Sequence, residues 1–137
     1  MNRFVLDASV SLGWLLADED NAEARRILLL LRDAEGYAPA IWPLEVANAL
    51  LAAQRRKRIT RPEVRQALEL LAELGIRLEA VSMAEASRLW VLAQDHRLSV
   101  YDAAYLDLAL REHVPLATLD GDLRRAATAL GVELLIP

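Results

Sequence analysis

Short apolar runs and helix-like segments alternate from one end of this 137-residue chain to the other. The alternation is typical of α/β domains, in which helices cover a mostly parallel sheet. No linker, low-complexity stretch or internal repeat interrupts it. We therefore predict an α/β fold with a mostly parallel central sheet flanked by helices, formed as one domain over residues 1–137.

Turn and cap residues define the predicted elements. The predicted strands cover about residues 3–6, 37–41, 76–81, 115–119 and 133–136. The predicted helices cover about residues 9–16, 21–34, 43–56, 60–75, 82–96, 101–111 and 123–130. Capping boxes are expected at Thr60 and Ser82. Ser9 is expected to cap the first helix, and Gly36 to end the second.

Four carboxylates stand at the ends of short apolar runs, and they are Asp7, Glu45, Asp102 and Asp120. Asp7 and Asp120 directly follow predicted strands, whereas Glu45 and Asp102 lie in the first turns of predicted helices. Ligands of open α/β sheets bind at the carboxyl ends of the strands, so we expect all four on one side of the molecule. Four negative charges tolerate one another there only with cations between them. The pattern therefore predicts hydrolysis assisted by divalent metal.

Each carboxylate taken alone also has a structural explanation. Aspartate is a preferred N-cap, and an acidic first-turn residue gains typically about 0.3–1 kcal/mol from the helix dipole. For Glu45 alone or Asp120 alone we favour that explanation. Asp7 fits it less well, because Ser9 is already available as a cap. The interpretation as a site therefore depends on the set of four.

The helix around Glu45 is apolar on nearly every side, so we expect it to be largely buried. Glu45 and Asn48 are three residues apart and share one face, which predicts a polar cleft, with a surface stripe as the alternative. Asp107 is expected to point away from the site into solvent. For Asp122 two interpretations stay open, a contact with the metal and a cap of the last helix.

Composition narrows the choice of metal. The chain has no cysteine, which excludes disulfides and thiolate zinc sites, and its two histidines receive no role. Oxygen ligands favour Mg²⁺ or Mn²⁺. The formal net charge of -4 equals the charge of the four candidate carboxylates, so it decides nothing about nucleic acid.

The only dense basic cluster consists of Arg55, Arg56, Lys57, Arg58 and Arg61. It is either a solvated helix end, where cations suit the dipole, or a contact for a polyanionic substrate. No apolar run approaches the roughly 20 residues that span a bilayer. The first residues do not resemble a signal peptide, so the expected compartment is the cytoplasm, with no membrane partner.

Four segments occur in the order seen in PIN-domain nucleases, and they are Asp7-Ala8-Ser9, Glu45 with Asn48, Tyr101-Asp102-Ala103-Ala104-Tyr105-Leu106 and Thr118-Leu119-Asp120. The chain resembles VapC-type ribonuclease toxins of toxin–antitoxin pairs over essentially its full length. The resemblance implies a metal-dependent endoribonuclease, usually a homodimer, held inactive by an antitoxin whose tail enters a hydrophobic groove near the first helices.

The resemblance also implies a role for each matched residue. Asp7, Glu45, Asp102 and Asp120 would be the catalytic and metal-binding carboxylates. Ser9, Asn48 and Thr118 would orient those carboxylates or their waters, and Asp122 is a candidate for the same task.

Three other classes compete with this interpretation. Receiver domains resemble one another in keeping a lysine at a late strand end, whereas Lys57 lies at a mid-chain helix end. Haloacid-dehalogenase-like phosphatases carry Asp-x-Asp after the first strand, whereas this chain has Asp7-Ala8-Ser9. The third alternative is a catalytically silent PIN-like scaffold that binds RNA or protein.

Overall fold

The computed structural model describes residues 2–136 as a parallel sheet covered by helices. The strands are β1 (Arg3–Leu6), β2 (Glu35–Pro39), β3 (Arg77–Glu79) and β4 (Leu116–Ala117). They lie in the order β3-β2-β1-β4, and every neighbouring pair is parallel. Val5 at the centre of the sheet pairs with Tyr37 on one side and Leu116 on the other. The predicted α/β architecture is therefore confirmed.

Seven α-helices connect and cover the strands within residues 2–136. They are α1 (Ala8–Leu15), α2 (Ala22–Leu30), α3 (Trp42–Arg55), α4 (Arg61–Glu73), α5 (Met83–His96), α6 (Val100–Glu112) and α7 (Gly121–Ala129). Both predicted capping boxes form, because the Thr60 and Ser82 hydroxyls each accept a bond from the backbone N–H three residues later. Among the described helices, none is both long and apolar enough to cross a bilayer.

The core lies around β1 and α6. Phe4, Val5 and Leu6 are fully buried, as expected for a central parallel strand covered on both faces. Residues 103–109 of α6 are also buried without interruption. This helix packs against β1 and β2 on one side and against α5 and α7 on others. Asp7 directly follows one of these two buried elements, and Asp102 lies in the other.

The helix α3 differs from its prediction. Its buried residues, among them Val46 and Leu50, form one face only. Leu44 is 66% exposed and Leu51 is 38% exposed, so the expectation of a largely buried helix is wrong. Apolar composition did not distinguish an exposed apolar face from a buried one.

Two other predictions are wrong: Gly36 does not end α2, and residues 133–136 do not form a strand. Gly36 lies inside β2 and does not end α2. A Cβ there would lie 2.8 Å from Ile76 Cδ1 and 2.9 Å from Leu31 Cδ2, so this glycine allows close packing. The predicted strand over residues 133–136 is reduced to one bridge, between Leu116 and Leu134. Its partner β4 has only two residues, which leaves little edge to pair with.

Candidate active site

Asp7 and the segment 118–120 meet at the carboxyl edge of the sheet. Asp7 follows β1 directly, and Thr118 follows β4 directly. Because these strands are parallel neighbours, both chain segments leave the sheet at the same edge. The backbone N–H of Asp7 donates to the carbonyl of Ala117 at 3.0 Å, which fixes the two segments against each other.

Two hydroxyl groups converge on one oxygen of the buried Asp7 carboxylate. Ser9 Oγ donates to Asp7 Oδ2 at 2.6 Å, and Thr118 Oγ1 donates to the same oxygen at 2.7 Å. No side-chain donor in residues 2–136 reaches Oδ1, and a backbone hydrogen bond from Ala8 also acts on this carboxylate. Asp7 occupies the N-cap position of α1, but its side chain does not cap the helix.

Ser9 does not cap α1 as predicted, because the helix already begins at Ala8. Its hydroxyl instead accepts a hydrogen bond from the backbone N–H of Leu119 at 2.9 Å while donating to Asp7. Ser9 thereby ties the start of α1 to the loop after β4, which is consistent with the predicted orienting role.

Glu45 lies in the first turn of α3 and is half-buried. Its Oε1 accepts a hydrogen bond of 2.6 Å from the hydroxyl of Tyr105, which is fully buried in α6. Tyr105 belongs to the segment from Tyr101 to Leu106, but sequence analysis assigns it no role in the site. The signal that could have found it is its spacing, because it follows Asp102 by three residues and so shares its helix face.

Asp102 and Asp120 lie at helix starts on the same side. The backbone N–H of Asp102 donates to Ser99 Oγ at 3.0 Å, so Ser99 is the cap of α6 and the Asp102 carboxylate is not. Asp120 is itself the N-cap of α7, since its Oδ2 accepts from the Leu123 N–H at 2.9 Å. The structural explanation for Asp120 therefore holds, and its charge also acts on Asp7 and Asp102.

The charges of these four residues act on one another, and we call the set Asp7, Glu45, Asp102 and Asp120 the acidic pocket. Burial raises the pKa of Asp102 to about 6, and the negative charges of the other three members contribute to the rise. Burial also raises the pKa of Glu45, with the Tyr105 hydrogen bond opposing the rise and the charge of Asp7 adding to it. The neighbouring negative charges thus disfavour the ionised forms of Asp102, Asp7 and Glu45.

Asp7 is the most buried member, at 5% exposure. Burial raises its pKa, the bonds from Ser9 and Thr118 lower it, and the upward effect prevails. The pKa of Tyr105 is also raised, first by burial and then by the bond to Glu45, so its hydroxyl remains a neutral donor. Hydroxyl groups thus hold the Asp7 and Glu45 carboxylates without cancelling their charge.

No arginine or lysine of the described residues forms an ion pair with the acidic pocket. The ion pairs in residues 2–136 all join other acidic side chains, such as Asp18 and Asp107. The carboxylates as they lie also do not enclose a metal ion, because no three acidic or histidine side chains in this part of the chain are arranged to hold one. The acidic pocket therefore carries negative charge that no ion pair in residues 2–136 balances. Its carboxylates lie near one another but do not surround a single ion position.

The remaining predicted site residues lie apart from these contacts. Asn48 is exposed on α3, one turn after Glu45. Asp122 is exposed, and its carboxylate pairs with Arg125 at 2.9 Å. In the basic cluster, Arg58 pairs with Asp18 at 2.7 Å and with Glu19 at 3.6 Å. The other cluster members, Arg55, Arg56, Lys57 and Arg61, are exposed.

Asp107 was expected to be solvated, and that expectation is wrong. It is buried, at 6% exposure, and accepts hydrogen bonds from Arg88 at 2.9 and 3.0 Å and from Arg111 at 2.8 Å. Burial alone would raise its pKa, but these two guanidinium groups hold the pKa below its usual value. Asp107 therefore fastens α5 to α6 and takes no part in the acidic pocket.

Comparison with known proteins identifies the family to which a chain with this fold and acidic pocket belongs. The PIN domain family model matches residues 4–129, and the chain belongs to this family. It is 33% identical over 129 residues to ribonuclease VapC3 of Pyrobaculum aerophilum, covering 93% of this chain and 97% of that protein.

Solved structures agree with the fold. The crystal structure of PAE2754 from Pyrobaculum aerophilum superposes with a TM-score of 0.72 at 17% identity, covering 98% of this chain and 90% of that one. A toxin–antitoxin complex from Klebsiella pneumoniae gives a TM-score of 0.56 at 20% identity, covering 85% of each chain. At these identities the likeness concerns the fold alone.

Proposed function

We propose that this protein is a divalent-metal-dependent endoribonuclease that hydrolyses RNA phosphodiester bonds. One observation carries the proposal: four carboxylates lie at the carboxyl edge of the sheet, where burial and neighbouring charge raise the pKa values of Asp7, Glu45 and Asp102. No cationic side chain in residues 2–136 forms an ion pair with any of the four. Such a charge excess repels a phosphodiester and requires cations to become a site for one. The relative named ribonuclease VapC3 supports RNA as the substrate.

The chemistry of the donor atoms fits Mg²⁺ or Mn²⁺. Both ions prefer oxygen ligands, and the pocket offers carboxylates supported by hydroxyl groups. Since the carboxylates do not enclose an ion as they lie, binding requires rotation of side chains. Asp102 is the member whose carboxylate is freest to rotate, because it is half-buried and caps no helix. Hydroxyl groups hold Asp7 and Glu45, and the Leu123 N–H holds Asp120.

The residues of the chain would divide the work as follows. Asp7 and Glu45 keep one oxygen each on a hydroxyl donor and offer the other to a cation. Asp102 and Asp120 would complete the set of ligands from the starts of α6 and α7. A bound divalent cation lowers the pKa of water and stabilises charge on the attacking and leaving oxygens. The products of attack by water would carry a 5′-phosphate and a 3′-hydroxyl.

Three further assignments belong to the same proposal. Ser9 and Thr118 orient Asp7, while Asn48 and Asp122 stay candidates for water-mediated support. The exposed members Arg55, Arg56, Lys57 and Arg61 contact RNA phosphates, whereas Arg58 contributes less because Asp18 and Glu19 offset its charge.

The partners are proposed by analogy with the family. A cognate antitoxin would hold the nuclease inactive, as the toxin–antitoxin complex from Klebsiella pneumoniae assembles on the same fold. The proposal also includes a single PIN-like nuclease domain over residues 1–137. Two such chains would form a homodimer that acts in the cytoplasm.

Total cellular RNA incubated with the purified, antitoxin-free protein tests this function. Discrete fragments with 5′-phosphate ends should form with Mn²⁺ or Mg²⁺ and should be absent with EDTA. Fragments ending in a 2′,3′-cyclic phosphate would overturn the water-attack mechanism. Persistent RNA binding without cleavage, by protein that is demonstrably folded, would instead support the silent scaffold.

A further inference from the structure

Tyr105 joins the two helices on either side of the acidic pocket. It lies in α6 at 0% exposure, three residues after Asp102. Its hydroxyl reaches across 60 residues of sequence to Glu45 Oε1, at 2.6 Å. The hydroxyl therefore connects the helix that carries Asp102 to the helix that carries Glu45.

Glu45 needs a partner of this kind because its surroundings on α3 do little to hold it. The preceding residue, Leu44, is 66% exposed, and Asn48 one turn later is exposed as well. A glutamate side chain has several rotatable bonds, and repulsion from the Asp7 carboxylate favours rotamers that point into solvent. The bond from Tyr105 selects the rotamer that keeps Glu45 beside Asp7.

The chemical nature of the donor matters as much as its position. An arginine in this place would hold Glu45 equally well, but it would cancel the negative charge on which cation binding depends. A tyrosine hydroxyl is neutral and donates a single hydrogen bond. It occupies Oε1 and leaves Oε2 without a side-chain donor in the described residues.

We propose that Tyr105 is a positioning residue that holds the Glu45 carboxylate in the acidic pocket with one oxygen free for the divalent cation. This inference rests on the proposed function, because it assigns Tyr105 a task in metal binding. The competing interpretation is that the ring of Tyr105 fills the core and the hydroxyl is dispensable. The two interpretations differ in what Tyr105→Phe does to metal affinity.

Titration of Mn²⁺ by calorimetry, without RNA, separates them. Tyr105→Phe should weaken Mn²⁺ binding by about 10- to 100-fold, the usual loss when a hydrogen-bond partner of a metal ligand is removed. Tyr37→Phe is the matched control, because it removes another buried tyrosine hydroxyl, one that contacts Arg3 at 3.3 Å. This control should bind Mn²⁺ as the wild type does.

A double-variant cycle tests whether the effect runs through Glu45. In a Glu45→Gln background, Tyr105→Phe should cause little further loss of Mn²⁺ affinity, since the carboxylate that the hydroxyl positions is gone. An equal additional loss in both backgrounds would overturn the positioning role. Wild-type affinity in Tyr105→Phe would overturn it as well, while leaving the proposed nuclease function intact.

A wild-type protein that binds no Mn²⁺ would overturn the proposed function and the role of Tyr105 together. Melting in EDTA shows whether Tyr105→Phe folds, and if it does not, Glu45→Asp replaces it, because the shorter side chain withdraws the carboxylate from an intact Tyr105. Glu45→Asp should then weaken Mn²⁺ binding, and unchanged affinity would overturn the proposal.

Discussion

The Thr118 hydroxyl donates a hydrogen bond to Asp7, with 2.7 Å between Oγ1 and Oδ2, although 111 residues separate the two in sequence. The same Oγ1 accepts the backbone N–H of Asp120 at 3.0 Å. Thr118 thus connects two members of the acidic pocket that reach the edge of the sheet on neighbouring strands. A single buried hydroxyl sets the spacing between a carboxylate after β1 and one after β4.

Thr118→Val should destabilise the metal-free protein. The substitution keeps the shape but removes a donor to a buried carboxylate and leaves the Asp120 N–H without its acceptor, so we expect a loss of about 1–3 kcal/mol in the free energy of unfolding. Urea unfolding in EDTA measures it. Thr128→Val makes the same change on the exposed side of α7 and should stay within about 0.5 kcal/mol. Equal effects of the two substitutions would contradict the role given to Thr118.

The acidic pocket should also make the stability of the metal-free protein depend on pH. The pKa of Asp102 is raised to about 6, whereas an unfolded aspartate titrates near 3.9. Ionised Asp102 therefore destabilises the fold, and stability is lost as pH rises from about 4 through about 6. Asp102→Asn removes this titration, so its melting temperature in EDTA should exceed that of the wild type above about pH 7.

The difference between Asp102→Asn and wild type should shrink toward about pH 4, where both side chains are uncharged. Asp95→Asn, an exposed site on α5, provides the control and should show no such trend. A constant difference for Asp102→Asn across the whole range would mean that neither burial nor the neighbouring carboxylates raise the pKa of Asp102.

Divalent cations should reverse this destabilisation. A ligand that binds only the folded state stabilises it, by about 2.7 kcal/mol at 100 times its dissociation constant. Mg²⁺ or Mn²⁺ should therefore raise the melting temperature, and Asp7→Asn should reduce the gain because a ligand with its oxygen already oriented is lost. Asp95→Asn should keep the full gain. If Asp7→Asn gained as much as the wild type, Asp7 would have no place in the metal site.

Asp107 should matter for stability and not for metal binding. Asp107→Asn weakens the bonds to Arg88 and Arg111, and hydrogen bonds to charged groups contribute about 1.5–3 kcal/mol each, so we expect a loss of at least about 1 kcal/mol. Glu23→Gln, which breaks an exposed ion pair with Arg26, should cost no more than about 1 kcal/mol.

The pH dependence gives Asp107 a second signature. Its pKa is lowered in the folded protein, so its stabilising effect is present above about pH 4 and is lost as pH falls through the folded-state pKa. The gap in unfolding free energy between wild type and Asp107→Asn should therefore close on acidification. An undiminished gap in acid would indicate that the substitution acts through packing and not through charge.

Local sequence predicted those features that local sequence determines. The capping boxes at Thr60 and Ser82 form because each needs only four consecutive residues. The end of β1 directly before Asp7 follows from an apolar run. The strand predicted up to residue 119 instead ends at Ala117, three residues before Asp120. The prediction for Gly36 was wrong because a glycine is needed there for close packing against Ile76. Ile76 lies 40 residues further along the chain, so no local sequence pattern indicates this contact.

The sequence predicted that the candidate carboxylates gather at one edge of the sheet, but it did not predict the contacts that hold them there. The positions of the four carboxylates at one edge follow from element order. The packing of α6 determines the bond from Tyr105 to Glu45 and the burial of Asp107 under Arg88. The sequence of α6 does not show which of its faces pack against other elements. The exposed face of α3 escaped prediction for the same reason, since apolar residues alone do not reveal which face a neighbour covers.

Cleavage of a single mapped RNA by wild type, Asp102→Asn and Asp107→Asn in Mn²⁺ tests the central claim most directly. Both variants remove one aspartate charge from α6, but only Asp102 belongs to the acidic pocket. We expect Asp102→Asn to lose at least about 10-fold in cleavage rate. Asp107→Asn should cleave as the wild type does below its melting temperature. Equal cleavage by wild type and Asp102→Asn, or undiminished cleavage in EDTA, would contradict the account.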